Sequence, residues 1–443
     1  MAHRGHRRPS DRRLTRRTTV VAGLGLGLGL GLPGAGTVAG DGARAAGASA
    51  RGRRFAAPAP EATPDAGSTG DRATRIVALA SEAMTASDLK AVILRVTIDG
   101  EEVVTTALGE SMAGVPATTD MHFRNGAVAI SYVSTLLLIL VDRGVVGLDD
   151  PIATWLPELP DADRVTLRML ANMTAGYPDY VQNPRLTQEL NADPFRQWSP
   201  QEQIAIGLST PRVFAPGTNW DYSHTDYVIL GQALERITGM PLADLLQANV
   251  LDPLELDGTV GSATPAIPEP VLHAYTGERR QALGIAPGVR FLEDATFWNP
   301  SWTIAQGAIQ TTTIHDMTAT AVAVGEGTLL SPESYRAMVE PRLLGFGAPL
   351  AGCPNCHTLD ETYSYGLGVV LTGNWIGQNP LFAGYGGTEG YLPSRKIAIA
   401  VATTFGEASF DDEGNYRYGN ASSAIFAAIG AELAPDDPPA GRS

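Results

Sequence analysis

A long apolar segment in the first third of the chain limits the folds that the sequence can adopt. Residues 128–141 are apolar except for Ser131, Ser134 and Thr135, and Asp142-Arg143-Gly144 follows. This run is too long for a typical strand, and a glycine after its end is typical of a helix C-terminus. The sequence therefore predicts a buried helix over 128–144, with Asn125 or Gly126 as its cap. A chain of 443 residues, 44% of them apolar, is long enough to enclose it in a large core.

Segments at both ends of the chain predict strands that could form a sheet around this helix. Residues 91–109 alternate in polarity on both sides of Asp99-Gly100, a dipeptide typical of a hairpin turn. Residues 396–405 predict a closing strand. Further helices are predicted from about Asp226 to Thr238, ending at Gly239, and over 422–433. The pattern therefore indicates a mixed α/β chain.

Five segments, in order, carry a resemblance to a known family. They are FRNGAVAI with the flanking text at 148–180, FAPGTNWDYSHTDYVILGQALERITG at 214–239, LDPLELDGT at 251–259, AQGAIQTTTIHDM at 305–317 and FAGYGGTEGYLPS at 382–394. Together they resemble the serine β-lactamase and DD-peptidase family, that is, class C β-lactamases and penicillin-binding-protein-like serine hydrolases. The resemblance extends from about residue 76 to 429. It implies one β-lactamase/transpeptidase-like domain over 71–434, an antiparallel sheet flanked by helices plus an all-helical region.

The resemblance also implies that the catalytic motifs have changed. In the family, S-x-x-K supplies a serine nucleophile and a lysine that helps to deprotonate it. Ala127 and Ile130 stand at these two positions. The second motif, Y-x-N, reads Tyr222-Ser223-His224, and the third, H-T-G or K-T-G, reads Gly384-Tyr385-Gly386. The chain thus resembles a serine acyl-enzyme that lacks its nucleophile and its base.

The aligned motifs predict which residues surround the former active site. The ligand-binding positions implied by the resemblance are Asn125, Ala127, Ile130, Gly386 and Gly387. A set that could support acid–base chemistry is Tyr222, His224, Tyr385 and Glu389. A neutral histidine beside a phenol can exchange protons near neutral pH. The alternative is that these four side chains only fill a pocket that no longer has a catalytic role.

Other serines offer poor replacements for the missing nucleophile. Ser131 and Ser134 lie four and seven residues beyond Ala127, deeper in the predicted helix and without a lysine. A literal S-x-x-K occurs at residues 87–90, but it lies about forty residues upstream and has no Phe-Arg before it. Short patterns of this kind recur by chance.

The two cysteines, Cys353 and Cys356, are close in sequence. A disulfide is predicted in an oxidising compartment, and a redox pair or a metal site with His357 is the alternative. The histidine spacing indicates no metal site, so we expect no metal and no cofactor.

The first fifty residues predict an export signal. Arg16-Arg17 resembles a twin-arginine motif, and the apolar stretch 20–32 is too short and glycine-rich to span a membrane. A flexible linker is predicted over 51–70 and a disordered tail over 435–443. The net charge is −15, and removal of residues 1–50 would make it more negative. We therefore expect a secreted protein with no nucleic-acid partner and no integral membrane span in the mature form.

Two functions from different classes remain. The first is a non-hydrolytic binder of a peptide, a cell-wall fragment or a small metabolite in the former active-site cleft. The second is an enzyme with acid–base, isomerising or ring-forming chemistry that forms no acyl-enzyme. A residual serine hydrolase or esterase is third.

Overall fold

The computed structural model describes residues 69–261, 264–340 and 342–440. Its α-helices are α1 (Thr69–Ala86), α2 (Val128–Asp142), α3 (Leu167–Ala171), α4 (Pro184–Ala192), α5 (Pro200–Gly207), α6 (His224–Thr238), α7 (Leu242–Leu246), α8 (Ile314–Glu326), α9 (Pro332–Val339) and α10 (Ala421–Leu433). Its strands are β1 (Leu89–Ile98), β2 (Glu101–Met112), β3 (Val115–Pro116), β4 (Phe123–Arg124), β5 (Val260–Gly261), β6 (Tyr275–Thr276), β7 (Glu293–Asp294), β8 (Gln310–Thr312), β9 (Ser364–Tyr365), β10 (Val370–Thr372), β11 (Trp375–Gln378), β12 (Leu381–Phe382), β13 (Tyr385–Leu392) and β14 (Ile397–Phe405). The predicted export signal and nearly all of the predicted linker lie outside the described residues.

The main sheet brings both ends of the domain together. Its strand order is β3-β2-β1-β14-β13-β11-β10-β9, and β12 pairs with β13. All of these pairs are antiparallel. One apolar cluster joins this sheet to α1 and α10, and a second joins it to α2, α6 and α8. The sheet therefore lies between two helical layers, and the chain from α2 to α7 forms a helical region beside it.

The apolar run forms the predicted buried helix. Every residue of α2 from Val128 to Leu140 is buried, because neighbouring elements cover it on all sides. The predicted cap is wrong, since the helix starts at Ala127 without a side-chain cap. The Asn125 amide instead donates to Gln310 Oε1 (3.0 Å), and Asn125 Oδ1 accepts from the Gln310 backbone N–H (3.2 Å). Asn125 therefore holds the chain that enters α2 against β8, whose Gln310 is 185 residues away in sequence.

The predicted hairpin and closing strand are confirmed. Asp99 and Gly100 join β1 to β2 with φ of 50° and 79°, the backbone that a tight hairpin turn requires and that glycine adopts freely. The strand β14 pairs with β1 along its length. Helix α6 begins at His224, two residues before the predicted start, and ends at Gly239 with φ of 71°.

Part of the predicted disordered tail contacts the domain. The indole Nε1 of Trp375 donates to the Asp437 carbonyl (2.9 Å), and Pro439 is buried. Across the described ranges, none of the helices has the length and apolar character needed to cross a bilayer.

Candidate ligand-binding site

An open cavity lies at the N-terminus of α2. Its described lining combines apolar and aromatic side chains with a few polar groups, as small-molecule sites commonly do. The lining residues are Gly126, Ala127, Asp179, Gln182, Tyr222, His224, Trp302, Thr303, Ile304, Asn355, Tyr363, Asn379, Pro380, Leu381 and Phe382.

A close backbone contact shapes the floor of the cavity. Gly126 has φ of 50°, and a Cβ there would lie 2.5 Å from Pro380 Cβ and 2.7 Å from the Phe382 ring. Only glycine fits both this backbone and this contact. The turn places Ala127 at the start of α2, where it lines the cavity at the position that the resemblance assigns to a nucleophile.

Asp179 and His224 form a hydrogen-bonded pair on one wall. Asp179 Oδ2 lies 3.1 Å from His224 Nδ1, and Oδ1 accepts from the backbone N–H groups of Val181 (3.1 Å) and His224 (3.2 Å). The carboxylate therefore lies at the N-terminus of α6, where the helix dipole favours negative charge. A carboxylate against Nδ1 places the imidazole proton on that nitrogen. The lone pair of Nε2 is left for the cavity, and no described residue bonds it.

Tyr222 stands beside this pair, its ring centroid 5.2 Å from that of His224. Burial raises the pKa of Tyr222 well above its usual range, so the side chain is a neutral phenol at physiological pH. Behind it, burial and the nearby charge of Asp179 raise the pKa of Asp221 to about 8. Burial also raises the pKa of Asp226 well above its usual range. Asp179 is the carboxyl of these three whose oxygens accept hydrogen bonds from the Val181 and His224 N–H groups.

The structure does not bring the four proposed acid–base residues together. Tyr222 and His224 line the cavity, whereas the Tyr385 hydroxyl donates to the Leu272 carbonyl (2.7 Å) and is buried. Glu389 is buried farther along β13, opposite Gln378 of β11. The strand β12 pairs with the start of β13, and its residues form the cavity wall in place of Tyr385.

Only one of the five predicted ligand-binding residues belongs to the described lining of the cavity. Of these, Ala127 lines the cavity, while Asn125 is engaged by β8 and Ile130 is fully buried in the core. Gly386 faces the other side of the sheet, against Thr403 and Asn420. The backbone N–H of Gly387 donates to the Pro380 carbonyl (2.8 Å).

The two serines that could replace the nucleophile, Ser131 and Ser134, do not belong to the described lining of the cavity. Ser131 Oγ donates to the Val128 carbonyl (2.7 Å), and Ser134 Oγ lies 2.7 Å from the Tyr227 hydroxyl, with both serines buried. Lys90, the lysine of the literal S-x-x-K segment, lies on β1, and its Nζ is 5.1 Å from the centroid of the Tyr275 ring.

The predicted disulfide is confirmed: Cys353 and Cys356 are bonded, with Cα atoms 5.4 Å apart. It closes the loop that carries Asn355 into the cavity wall. Among the described residues, one group of three potential ligand atoms combines both sulfurs with Asp221. A disulfide sulfur is not a thiolate, so this group does not have the chemistry of a metal site.

Most residues of the cavity wall could not be predicted from the sequence. Asp179 follows Tyr177-Pro178 in a loop, and Trp302, Asn355 and Phe382 come from three further loops or short strands. None of them belongs to a periodic pattern, and only the tertiary fold brings them together. The one local signal was Asp179 itself, an aspartate in a position to cap the turn at 180–182.

Comparisons with known proteins agree with this architecture. A family model described as Beta-lactamase matches residues 76–422. Esterase EstB of Burkholderia gladioli is 33% identical over 196 residues, which is 41% of this chain and 50% of the esterase. Penicillin-binding protein 4 of Amycolatopsis lactamdurans is 30% identical over 213 residues, 46% of this chain and 51% of that protein. The chain thus matches about half the length of these two relatives.

Solved structures share the fold. D-amino acid amidase from Ochrobactrum anthropi SV3, complexed with D-phenylalanine, superposes with a TM-score of 0.69 at 23% identity, covering 83% of this chain and 99% of the amidase. A D-stereospecific amidohydrolase from Streptomyces sp. gives 0.63 at 21% identity, covering 79% and 98%. The predicted fold, an antiparallel sheet flanked by helices with a helical region, is confirmed.

Proposed function

Because the chain belongs to the Beta-lactamase family, with esterase and penicillin-binding-protein relatives, we propose that it is a non-hydrolytic binding protein of that family. Its ligand is a peptide, a cell-wall fragment or a small metabolite held in the cavity at the start of α2. The observation that carries this proposal is the chemistry of the lining. The described lining residues include Ala127 at the helix start but no serine, cysteine or lysine.

The chemistry of acyl transfer explains why this lining matters. An acyl-enzyme needs an activated hydroxyl or thiol beside a base. His224 is a base for such a step, but the only aliphatic hydroxyl in the described lining, that of Thr303, donates to the Pro300 carbonyl (2.9 Å). The other hydroxyls are the phenols of Tyr222 and Tyr363, and burial raises the pKa of Tyr222 well above its usual range. Binding needs no nucleophile, and the aromatic wall with its few polar groups is suited to it.

Titration calorimetry with three probes tests the proposal: D-phenylalanine, D-phenylalaninamide and muramyl dipeptide. We expect at least one to bind saturably and to be recovered intact by chromatography. Ala127→Leu should abolish this binding, because the larger side chain enters the cavity. Ala282→Leu, at an exposed loop position, is the matched control and should bind normally. Binding that survives in Ala127→Leu, or no binding of any probe, would count against the proposal.

We also propose that the protein acts outside the cell. The twin-arginine pattern and the bonded cysteines support this, since disulfides persist in oxidising compartments. Cell fractionation of the full chain should find it exported, and Arg16→Lys with Arg17→Lys should retain it in the cytoplasm. Cytoplasmic wild-type protein would contradict the proposal.

The Asp179–His224 pair favours a second candidate, an acid–base enzyme. A carboxylate on Nδ1 stabilises the imidazolium that forms when Nε2 takes a proton. We expect such an enzyme to exchange the α-hydrogen of D-phenylalaninamide in D₂O, with Nε2 removing the proton and solvent supplying the deuteron. Proton NMR would detect loss of that signal, and His224→Ala should stop it. If D-phenylalaninamide binds but its α-hydrogen signal stays constant, the protein binds the compound without acid–base catalysis.

A further inference from the structure

The distribution of charge around the cavity bears on which ligands it can hold. No lysine or arginine occurs among the described residues of its lining. The chain has two lysines, and the described structure places Lys90 over Tyr275 and pairs Lys396 with Asp99 (2.7 Å). Arg212, in the same helical region, pairs with Asp161 (2.9 Å). An anionic ligand would therefore enter the cavity without a cationic partner from its wall.

The part of the wall formed by Asp179 and His224 instead offers acceptors. Asp179 takes its hydrogen bonds from Val181 and from His224, and the proton of the imidazole is directed at the carboxylate. His224 Nε2 therefore presents a lone pair, with the Asp179 charge directly behind it. Both side chains are nearly closed to solvent, with exposed fractions of 9% for His224 and 2% for Asp179. In such a site the field of the carboxylate is weakly screened.

The remaining walls favour an apolar or aromatic body. Tyr222, Trp302 and Phe382 line the cavity together with Leu381. Aromatic faces attract cations as well as apolar groups. A ligand carboxylate that entered the cavity would lose its hydrating water and would find no cationic side chain in the described lining to replace it.

From this arrangement we infer that the cavity selects ligands with an N–H donor, a protonated amine or an amide, on an apolar body, and that it discriminates against free carboxylates. The inference rests on the proposed function, because it names the ligand class of the same site. The donor bonds His224 Nε2, and the Asp179 carboxylate acts through the imidazole as a positioning and charge-selecting group.

A matched series of probes tests the inference in the mature protein. The compounds are 2-phenylethylamine, 3-phenylpropanamide and 3-phenylpropanoate, which share a phenyl ring and a two-carbon spacer and differ in the polar end. We expect calorimetry to give at least tenfold tighter binding for the amine and for the amide than for the carboxylate. Ala127→Leu should remove binding of both, which excludes attraction to the acidic outer surface.

Two substitutions give a readout that simple loss of structure would not. Asp179→Asn removes the charge at constant size and should reduce the ratio of amine to carboxylate affinity at least fivefold. His224→Gln keeps an acceptor and should retain amide binding better than His224→Ala. The ratio of amine to carboxylate affinity is measured within one variant. If a substitution only lowers the fraction of folded protein, both affinities fall by the same factor and the ratio does not change.

The outcomes separate the two proposals. If 3-phenylpropanoate binds as tightly as the amine and Ala127→Leu abolishes it, the inferred selectivity is wrong and the binding function stands. If the amine preference persists in Ala127→Leu, it arises at the surface and the inference fails. If none of the three probes, nor the earlier panel, binds at millimolar concentration, both proposals fail.

Discussion

Replacing Glu389 by glutamine should stabilise the protein, and the effect should depend on pH. Glu389 has 2% of its surface exposed, and neither carboxyl oxygen has a hydrogen-bond partner among the described residues. Burial alone raises its pKa from 4.5 to about 8. The residue faces Gln378 across the β11–β13 pair, and Gln378 Oε1 is also buried without a partner. A glutamine amide at position 389 could donate to that oxygen.

The sign follows from proton linkage. The folded pKa lies above the unfolded value, so the folded state binds the proton more tightly. The part of the free energy of unfolding that depends on protonated Glu389 is therefore fully present below about pH 4.5, and it is lost as the pH rises toward about 8. At pH 7 the difference spans about 2.5 pH units, and at about 1.4 kcal/mol for each unit the wild type loses roughly 3 kcal/mol. Glutamine does not ionise and avoids this loss.

Urea unfolding of wild type and Glu389→Gln at pH 4.5, 6 and 7.5 provides the measurement. The variant should show little advantage at the lowest pH and an advantage that grows by about 1.4 kcal/mol for each pH unit. Glu158→Gln, at an exposed position, is the control and should show no such trend. A Glu389→Gln variant that is equally or less stable at pH 7.5 would refute the reasoning, because it would mean that the carboxyl is ionised and favourably paired.

Two further substitutions test the floor of the cavity. Ala127→Ser alone should not hydrolyse nitrocefin or p-nitrophenyl esters, because Ile130 supplies no lysine one helical turn from the new hydroxyl; efficient turnover would mean that His224 acts as its base. Adding Ile130→Lys should give weak or no turnover and lower the unfolding midpoint, since it buries a charge in the core. Gly126→Ala should destabilise the protein by about 2 kcal/mol or more in urea unfolding, because φ is positive and the new Cβ meets Pro380 and Phe382; a neutral effect would mean that this turn relaxes freely.

Elements with a strong local pattern could be predicted from the sequence. The helix at 128–142 follows from its unbroken apolar run, and the β1–β2 hairpin from alternation around Asp99-Gly100. The cap of α2 could not be predicted, because Asn125 bonds Gln310, a residue remote in sequence, rather than the helix N–H groups. A local rule for capping assumes that no distant partner competes for the side chain.

The candidate site was predicted less completely than the fold. Tyr222, His224 and Ala127 were placed together by the resemblance and do share the cavity. Tyr385 and Glu389 lie on the strand that was expected to contribute, but β12 covers its first residues. The pairing of Leu381 and Phe382 with that strand depends on tertiary packing, as does the position of Asp179 against His224. Neither leaves a periodic pattern in the sequence.

The central claim is that a β-lactamase-like cavity is used here without an acyl-enzyme. Intact-mass spectrometry after incubation of the mature protein with benzylpenicillin, and separately with a fluorophosphonate, tests it most directly. We expect an unchanged mass in both incubations, because Ala127 has no nucleophilic oxygen and Ser131 is buried and bonded to its own helix. A stoichiometric mass gain that peptide mapping assigns to Ser131, or to any residue lining the cavity, would contradict it.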